Sequence, residues 1–428
     1  METDKILHLD RTSNSLISLD KNYKFSHPYK KYDLYNIHPT SSSSSNLNKS
    51  GEIRFEHKAS SSYLDISNSY LSFEIEIEDL EDGEGITLEN DFFPAMFSQM
   101  KLSFGSSDVE LIHNPGVFST MLNHIMTDKS YFKHEGQISG WIPDGYDRGK
   151  ELKWKAYQLR KEIYNKTKTF KGSFPLNRLF GFLECYKRIL YLTPIHLYLY
   201  REISNEKIFY GGTTGGVQNE AKVNLKTIEL VIPEMQFNSK VEQNIIERYL
   251  TDKSIKINYL NRLCNHINNP EGTSFSFTPC TLSKRPKHIL IGFKDTNISF
   301  GTNNNLFLIK GLKSIQLKLN NVYYPQNQMN FDSDKNDLVL PFNSYLNMSR
   351  QYTNSSSLSL MDFKNSFPIF CFDVNAQDDA LLSSNCMITI EIKKDTNFKA
   401  TCYTLVMEEN LKQIKLKDGM FISFENIE

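Results

Sequence analysis

The chain has few of the features that mark a secreted, membrane-spanning or disulfide-stapled protein. No stretch approaches the roughly 18 uninterrupted apolar residues that a membrane-spanning helix needs. The first residues hold no apolar run of the kind found in signal peptides, so we expect a protein that is not secreted. Cysteines without short paired spacing in a reducing compartment are expected to be free thiols. The 6 cysteines are Cys185, Cys264, Cys280, Cys371, Cys386 and Cys402.

The chain also lacks an excess of charge of either sign. Its 49 Lys and Arg residues nearly balance its 50 Asp and Glu residues, giving a formal net charge of −1. A protein that coats nucleic acid by charge alone would be basic overall, so any contact with nucleic acid must be local. The hydrophobic fraction of 39% is enough to bury a core, which argues against a wholly disordered chain.

Signatures of catalysis and of metal binding are missing from the sequence. The Gly-rich stretch 211–216 is not followed by the Gly-Lys-Ser/Thr of a phosphate-binding loop. The acidic stretch 332–337 begins like a calcium loop, but Asp337 stands where glycine is needed and Asn343 stands where glutamate is needed. No His-Glu-x-x-His, Cys-x-x-Cys or Gly-x-Ser-x-Gly pattern occurs. We therefore expect no enzyme, no metal site and no cofactor.

The sequence does contain an internal repeat of apolar positions. Residues in 92–104 recur 215 positions later, in 307–319. The matched pairs are Phe92 and Phe307, Phe97 and Leu312, Met100 and Ile315, Leu102 and Leu317, and Phe104 and Leu319. Each stretch ends in strict alternation, which is typical of a strand with one buried face. The repeat predicts one β-domain built twice, in a chain of 428 residues that is long enough for two domains.

Short alternating segments separated by turn residues predict the fold class. Such segments include Tyr70–Ile77, Ile195–Tyr200, Met387–Ile392 and Ala400–Val406. Their length and spacing predict an all-β protein with two consecutive eight-stranded jelly-roll β-sandwiches, that is, a double jelly roll. Short helices are predicted near 117–126, 152–164 and 239–250.

The same patterns predict how the chain is divided. Residues 1–50 are polar and show no regular apolar order, which predicts a flexible N-terminal arm. The alternative is an arm that becomes ordered against neighbouring subunits. The first jelly roll is placed at 51–238, with a basic insertion around 127–175. The second jelly roll and a C-terminal tail are placed at 239–428.

The insertion carries the main charge asymmetry of the chain. Residues 148–188 hold 12 Lys or Arg against 3 Glu and no Asp, with aromatic residues between them. The stretch is either a solvated helix and loop or a surface that meets nucleic acid or an acidic partner patch. The candidate polyanion or subunit contacts are Lys153, Lys155, Arg160, Lys161, Lys166, Lys168 and Lys171.

The order of several segments resembles the double jelly-roll major capsid proteins of the polinton (Maverick) and adintovirus lineage. The resemblance covers about residues 50–415, and the insertion 127–175 is not part of it. The segments that carry it are Tyr63–Phe73, Phe92–Leu102, Pro175–Phe180, Ile195–Arg201, Phe275–Phe277, Pro286–Phe293 and Phe370–Asp373.

This resemblance implies a structural virion protein with no catalytic residues and no cofactor. Such proteins form homotrimers of pseudo-hexagonal outline, which tile an icosahedral shell around double-stranded DNA. The implied partners are other capsid trimers, penton and minor capsid proteins, and the packaged DNA. The same resemblance implies synthesis in the host cytoplasm and leaves assembly in the nucleus open.

Other functions stay open on the residues alone. A β-sandwich binding module for a glycan or a surface receptor would normally carry a secretion signal. An enzyme on a β-scaffold would need a cleft with converging groups of shifted pKa. A further alternative is a trimeric scaffold or domesticated capsid-derived protein that packages no DNA. The turn-rich stretches hold aromatic residues that suit either subunit contacts or loop anchoring, namely Tyr323, Tyr324, Tyr345 and Tyr352.

Overall fold

The computed structural model describes the chain between residues 29 and 426, with gaps. The described residues are 29–40, 47–49, 51–58, 62–79, 86–144, 151–202, 204–211, 221–252, 254–268, 270–280, 283–296, 304–320, 322–375, 385–395, 397–417 and 420–426. Only the backbone is described at 29, 151–155, 240, 248–252, 283–284, 327, 385, 416–417, 420–422 and 426. The first 28 residues of the predicted arm and most of the Gly-rich stretch, 212–216, lie outside the described residues.

Strands are the commonest element. In chain order they are β1 Tyr29–Ile37, β2 Gly51–His57, β3 Tyr63–Leu64, β4 Tyr70–Glu78, β5 Ile86–Leu88, β6 Phe97–Phe104, β7 Ser107–His113, β8 Thr169–Pro175, β9 Leu190–Tyr191, β10 Ile195–Arg201, β11 Phe209–Gly211, β12 Lys222–Phe237, β13 Ser254–Ile267, β14 Ser274–Phe277, β15 Ser283–Lys284, β16 Pro286–Asp295, β17 Leu312–Leu319, β18 Val322–Asn330, β19 Phe370–Asp373, β20 Asn385–Cys386, β21 Ile388–Lys394, β22 Ala400–Lys417 and β23 Met420–Asn426. The α-helices are α1 Phe92–Ala95, α2 Pro115–Met126, α3 Glu135–Ser139, α4 Glu151–Arg160, α5 Gly181–Cys185, α6 Ser239–Asp252, α7 Val339–Tyr352 and α8 Leu360–Asn365. A π-helical turn, Lys161–Asn165, follows α4.

The first half of the chain forms two antiparallel sheets over one core. One sheet has the order β1-β12-β4-β8 and is extended by β3 and β9. The other has the order β2-β10-β6-β7. Phe73 of the first sheet and Leu102 and Leu199 of the second belong to the same buried cluster, so the two sheets face each other.

The second half repeats this arrangement. Its sheets have the orders β13-β22-β16-β19, extended by β23, and β14-β21-β17-β18. When the eight main described strands of each half are numbered along the chain, both halves have the orders first–eighth–third–sixth and second–seventh–fourth–fifth. Two facing four-stranded sheets with these crossovers are a jelly roll. The predicted double jelly roll is therefore confirmed.

The repeated apolar pattern marks equivalent strands of the two rolls. β6 and β17 are both fourth strands, and each has 8 residues. Phe97 and Leu312 begin these strands, and Phe104 and Leu319 end them. All ten residues of the repeat are at most 2% exposed. The alternation therefore identified the buried faces correctly, because every second residue of a strand points to the same side.

Each roll completes its core with residues of the other. The predicted helix near 117–126 is present as α2, which follows the fifth strand of the first roll. Its buried residues Met121 and Ile125 pack in the cluster of the second roll. In return, Tyr259 of β13 and Phe424 of β23 pack in the cluster of the first. The two rolls thus share one continuous apolar junction.

The close fit at this junction depends on a glycine of β16. Gly292 lies in a stretch of β16 that is buried on both faces. A Cβ at Gly292 would lie 2.5 Å from Phe307 Cε1 and 3.5 Å from Met121 Cε. Only glycine leaves room for the ring of Phe307 and for α2 to pack on the sheet.

Two main strands lie where the sequence predicts other structure. β1 lies inside the predicted arm 1–50, but it pairs with β12 from Tyr29–Phe237 to Ile37–Leu230 and is the first strand of its roll. β8 lies inside the predicted insertion 127–175, but it pairs with β4 and is the sixth strand. β1 exposes most of its side chains, whereas β8 exposes only Thr169 and Lys171 and fully buries only Phe174, so neither strand has the clean apolar alternation on which the prediction depended. The predicted junction at 238 and 239 falls between β12 and α6.

Candidate functional site

One residue of the basic stretch is part of the core. Arg160 is fully buried at the end of α4. Its guanidinium donates to Asp144 Oδ2 at 3.0 Å and to the main-chain oxygen of Ile142 at 2.7 Å. Burial alone would lower the pKa of Arg160, but the charges of Asp144 and Glu89 outweigh it and raise the pKa. This buried ion pair belongs to the core, and its guanidinium is not accessible to a polyanion. Arg160 is therefore not retained among the candidate polyanion contacts.

Four of the other candidate lysines lie along one edge of the first roll. Lys161 is in the π-helical turn, Lys166 follows it and is exposed, and Lys168 leads into β8. Lys171 is on β8, and its Nζ lies 3.2 Å from Glu74 Oε2 on β4. β8 ends its sheet in the described part of the chain, so these lysines share an edge. The candidates whose side chains lie outside the described residues are Lys153 and Lys155.

A buried carboxylate accepts main-chain hydrogen bonds where the two rolls meet. Glu110 on β7 accepts from the N–H groups of Gly181 and Phe182 at 3.1 Å each, and from the N–H of Arg262 on β13 at 3.0 Å. The guanidinium of Arg262 in turn donates to Glu184. Burial raises the pKa of Glu110 to about 7, although Arg262 and the three N–H groups act in the opposite direction. Main-chain N–H groups of both rolls thus donate to the Glu110 carboxyl group of the first roll.

The same contact requires a glycine at the start of α5. A Cβ at Gly181 would lie 1.8 Å from the main-chain oxygen of Leu260 on β13. No side chain fits in that space without moving the backbone of the second roll. The short helix therefore presents its first N–H groups to Glu110 at a distance that only glycine permits.

A second polar cluster crosses the junction near α2. Asn305 of the second half accepts from Thr120 Oγ1 at 3.2 Å, and its amide donates to the main-chain oxygen of Asn90. Asp91 Oδ2 lies 3.4 Å from both Thr120 Oγ1 and Asn123 Nδ2. Burial raises the pKa of Asp91 to about 7, while these donors act to lower it. These contacts fix the register of the rolls rather than forming a reactive centre.

A cleft of about 230 Å³ opens beside this cluster. Lys294 lines it, and burial lowers the pKa of its ammonium group to about 8 against the opposing charge of Glu89. Lys207 and Glu202 also line the cleft and are bound to each other at 2.8 Å. Among the described residues, no group of three His, Cys, Asp or Glu side chains could hold a metal ion. The cleft therefore presents charged groups that can bind a ligand.

Comparison with protein families identifies the family to which this architecture belongs. The model of the double jelly roll-like domain matches residues 86–411. The chain belongs to the double jelly roll-like domain family. No curated protein matches the chain.

Three solved structures share the double jelly-roll fold with this chain. The structure of the Sputnik virophage matches with a TM-score of 0.65 and 10% identity, over 96% of this chain and 92% of that chain. The Faustovirus major capsid protein matches with a TM-score of 0.57 and 9% identity, over 98% and 94%. The mavirus major capsid protein matches with a TM-score of 0.51 and 10% identity, over 96% and 93%. At such low identity, the likeness establishes the fold.

Two other sequence features of this double jelly-roll protein have plain structural roles. The acidic stretch 332–337 is a tight turn, in which Asp332 Oδ1 accepts from the N–H of Asp334 at 3.0 Å. Tyr345 lies on α7 and is fully buried, so of the two alternatives stated for it, subunit contact and anchoring within the chain, its burial favours anchoring. No helix in the described ranges is long and apolar enough to cross a membrane.

Large apolar side chains are exposed at several places on the double jelly roll, and groups of three lie on β1 and around the start of β18. On β1, Tyr32 is 53% exposed, Leu34 is 50% exposed and Tyr35 is 47% exposed. At the start of β18, Val322 and Tyr323 are exposed beside Met387, whose N–H donates to Asn320. Exposed apolar groups of this size on a folded protein mark contact surfaces.

The sequence carries no signal for the buried charges at the junction. In β7, Glu110 is buried while the next residue, Leu111, is exposed, which is the reverse of the usual preference. Arg262 likewise lies in a strand of mixed polar and apolar residues. The N–H groups of α5 and the partner strand of the other roll together explain these positions, and a single sequence does not identify those partners.

Proposed function

We propose that this chain is a major capsid protein, a structural subunit of a viral shell without enzymatic activity. The observation that carries the proposal is the presence of two rolls with the same strand order in one chain. Closed shells need repeated contacts of similar geometry, and a doubled roll supplies two per chain. The mavirus and Faustovirus structures, both named as major capsid proteins, support the proposal because they share the fold over more than nine-tenths of each chain.

The proposed assembly unit is a homotrimer of pseudo-hexagonal outline, since three chains supply six rolls. Such trimers would tile an icosahedral shell around a double-stranded DNA genome, next to penton and minor capsid proteins. We assign the chain to the polinton (Maverick) and adintovirus lineage on the segments that resemble it. Its place is then the virion, after synthesis in the host cytoplasm and assembly there or in the nucleus.

The exposed apolar side chains of β1 support a role in subunit contacts. In the described part of the chain, no strand pairs with the outer edge of β1. Natural edge strands are usually protected by charge, proline or a covering element, because an open apolar edge invites association. β1 does carry the charged residues Lys30, Lys31 and Asp33, yet Tyr32 and Leu34 between and beside them are about half exposed. Aromatic side chains are enriched in protein interfaces, which suits a neighbouring copy of the chain.

The lysines along β8 support a local contact with packaged DNA or with an acidic patch of a neighbouring subunit. Lys166 and Lys171 are exposed, and Lys161 and Lys168 lie partly exposed on the same edge. Phosphate groups need only local positive charge, so the overall net charge of −1 is compatible with such a contact.

Gradient sedimentation after expression of the full chain tests this function. We expect fast-sedimenting shells that hold nuclease-resistant DNA. Shells or trimers without protected DNA would favour the capsid-derived scaffold instead. Leu34→Asp is expected to reduce assembly, and Lys30→Asp on the same strand is the control because it removes no apolar side chain. A chain that sediments only as a monomer would refute the capsid proposal.

A further inference from the structure

A cavity of about 490 Å³ lies between the two rolls, and the Asp144 carboxylate that pairs with Arg160 is part of its wall. The first roll contributes Trp141, Ile142 and Leu159 to its wall, and the second roll contributes Leu358 from the segment between α7 and α8. Pockets that bind small molecules usually measure about 300–1,000 Å³. The cavity is therefore large enough for a ligand, and residues of both rolls form its wall.

The depth of the cavity is apolar and its rim is polar. Trp141 is 2% exposed, Ile142 is 1% exposed and Leu358 is 5% exposed, so these side chains form a dry inner wall. Asp128 and Lys129 also line the cavity, and Lys129 is exposed to solvent. An apolar ligand in the cavity would take its own apolar surface out of water and gain the free energy of apolar burial.

One polar group in the cavity wall lacks a partner. His124 lines the cavity and is fully buried between the rings of Trp141 and Phe367, whose centroids lie 4.9 and 4.1 Å away. Its Nε2 is buried and has no hydrogen-bond partner among the described residues. A buried polar atom left in this state costs about 1–3 kcal/mol, so a ligand group that satisfies it is favoured.

The surroundings of His124 indicate what that group must be. Burial lowers the pKa of His124 to about 3, so the imidazole is neutral. Ser357 donates its hydroxyl proton to the main-chain oxygen of His124 at 2.6 Å, and the serine oxygen lies 3.5 Å from Nδ1. Because the serine proton is used in that hydrogen bond, the serine oxygen accepts from Nδ1. The imidazole proton is therefore on Nδ1, and Nε2 is an acceptor without a donor among the described residues.

We infer that this cavity is a binding site for a lipid-like molecule with an apolar body and one hydroxyl group that donates to His124. A sterol, a fatty alcohol and a protonated fatty acid share this chemistry. Because both rolls form the wall, the bound molecule would lie at the junction and hold the rolls together. The site does not depend on trimer formation or on packaging of DNA.

Fluorescent lipids test the inference on the purified full chain. The chain is titrated with dehydroergosterol, a sterol, and separately with cis-parinaric acid, a fatty acid. Saturable binding of one molecule of either probe per chain is expected, and the probe that binds identifies the shape of the body. The methyl ester of cis-parinaric acid lacks the hydroxyl group and is expected to bind more weakly than the acid if the acid is the ligand. Absence of saturable binding by both probes would overturn the inference.

Filling the cavity provides the matched variants. Ala156 on α4 lines the cavity, and Ala156→Trp is expected to weaken binding by about tenfold or more. Gln158→Trp, at an exposed position of the same helix, is the control and should bind as the wild type does. Leu358→Phe fills the cavity from the second roll and replaces Ala156→Trp if circular dichroism shows that the latter is unfolded. Unchanged binding by a folded filling variant would contradict the assignment.

Discussion

The hydroxyl of Tyr345 donates a hydrogen bond to the main-chain oxygen of His124 at 2.7 Å, inside the protein. Tyr345 is on α7 and His124 is near the end of α2, so the contact joins the equivalent helices of the two rolls. Ser349, one turn later on α7, reaches the oxygen of Ile125 at 3.2 Å. The last carbonyl groups of a helix have no partner within it. The second roll therefore caps a helix of the first.

This cap predicts that Tyr345→Phe destabilises the whole chain. The variant removes the buried hydrogen bond to His124 and the contacts of the same hydroxyl with Ser356 and Ser357, and it leaves Ser357 as the side-chain donor to His124, so a loss of about 1 kcal/mol or more is expected. Tyr323→Phe removes an exposed hydroxyl and serves as the control, with little effect expected. Urea unfolding gives both free energies. Equal stability of Tyr345→Phe and wild type would show that the contact does not hold the rolls.

Two ion pairs, one largely buried and one exposed, are predicted to contribute differently to the free energy of unfolding. Arg262 is 1% exposed and binds Glu184, while it also donates its N–H to Glu110. Arg262→Ala keeps this main-chain N–H and should cost about 3 kcal/mol or more, because it leaves the buried Glu110 and the partly exposed Glu184 without their cation. Lys171→Ala breaks the exposed pair with Glu74 and should cost at most about 1 kcal/mol. Similar losses in the two variants, measured by denaturant unfolding, would contradict the role given to the junction.

The patterns of the sequence were informative where one face of a strand is wet and the other is dry. β10 alternates buried and half-buried residues along its whole length, and β4 does so along nearly all of it, so both could be predicted. β1 could not be predicted, because seven consecutive side chains from Lys30 to Asn36 are exposed in the isolated chain. In β8, Gly172 interrupts the alternation between Phe170 and Phe174. Strands could not be predicted where the burial of their side chains depends on distant parts of the chain or on neighbouring subunits.

The candidate contacts show a second limit of the sequence. Arg160 and Lys161 are neighbours in a basic run, yet the first is buried against Asp144 and the second lies partly exposed near the ring of Tyr157. Charge density along the chain does not distinguish them. The distinction arises because the turn of the helix directs one side chain inward, toward a carboxylate distant enough in sequence to escape pattern analysis.

The buried carboxyl groups predict that stability falls as the pH rises. Burial raises the pKa of Asp91 to about 7 from the ordinary value of 3.8, which the unfolded chain should show. Between these values the folded chain holds more protons, so the free energy of unfolding decreases with increasing pH. Asp91→Asn should reduce this decrease without abolishing it, because Glu89 and Glu110 shift in the same direction. Thermal unfolding across this pH window checks the prediction.

Asp128 provides a matched control for that experiment, because its pKa is shifted in the opposite direction. The hydrogen bond from Ser130 lowers the pKa of Asp128, so its contribution to stability is lost as the pH falls. Asp128→Asn should therefore leave the decrease toward neutral pH in place. Equal pH dependence of Asp91→Asn and the wild type would contradict the assignment. The comparison of the two is needed because burial lowers the pKa of His124 to about 3, which opposes the carboxyl groups in both chains.

The lysine edge predicts salt-dependent binding to double-stranded DNA. Changing Lys161, Lys166 and Lys168 together to Glu should weaken binding and reduce the dependence of affinity on salt concentration, because fewer counterions are released. The control changes three exposed lysines on the second half of the chain, Lys256, Lys310 and Lys335. Fluorescence anisotropy at several salt concentrations measures both quantities. Equal effects of the two triple variants would show that the edge is an ordinary solvated surface.

The mass and outline of the purified chain test the capsid account most directly. Light scattering should give a particle with three times the chain mass of 49.6 kDa. Negative-stain electron microscopy should show a six-cornered outline or assembled shells. A compact particle with the mass of a single chain at micromolar concentration would contradict the account.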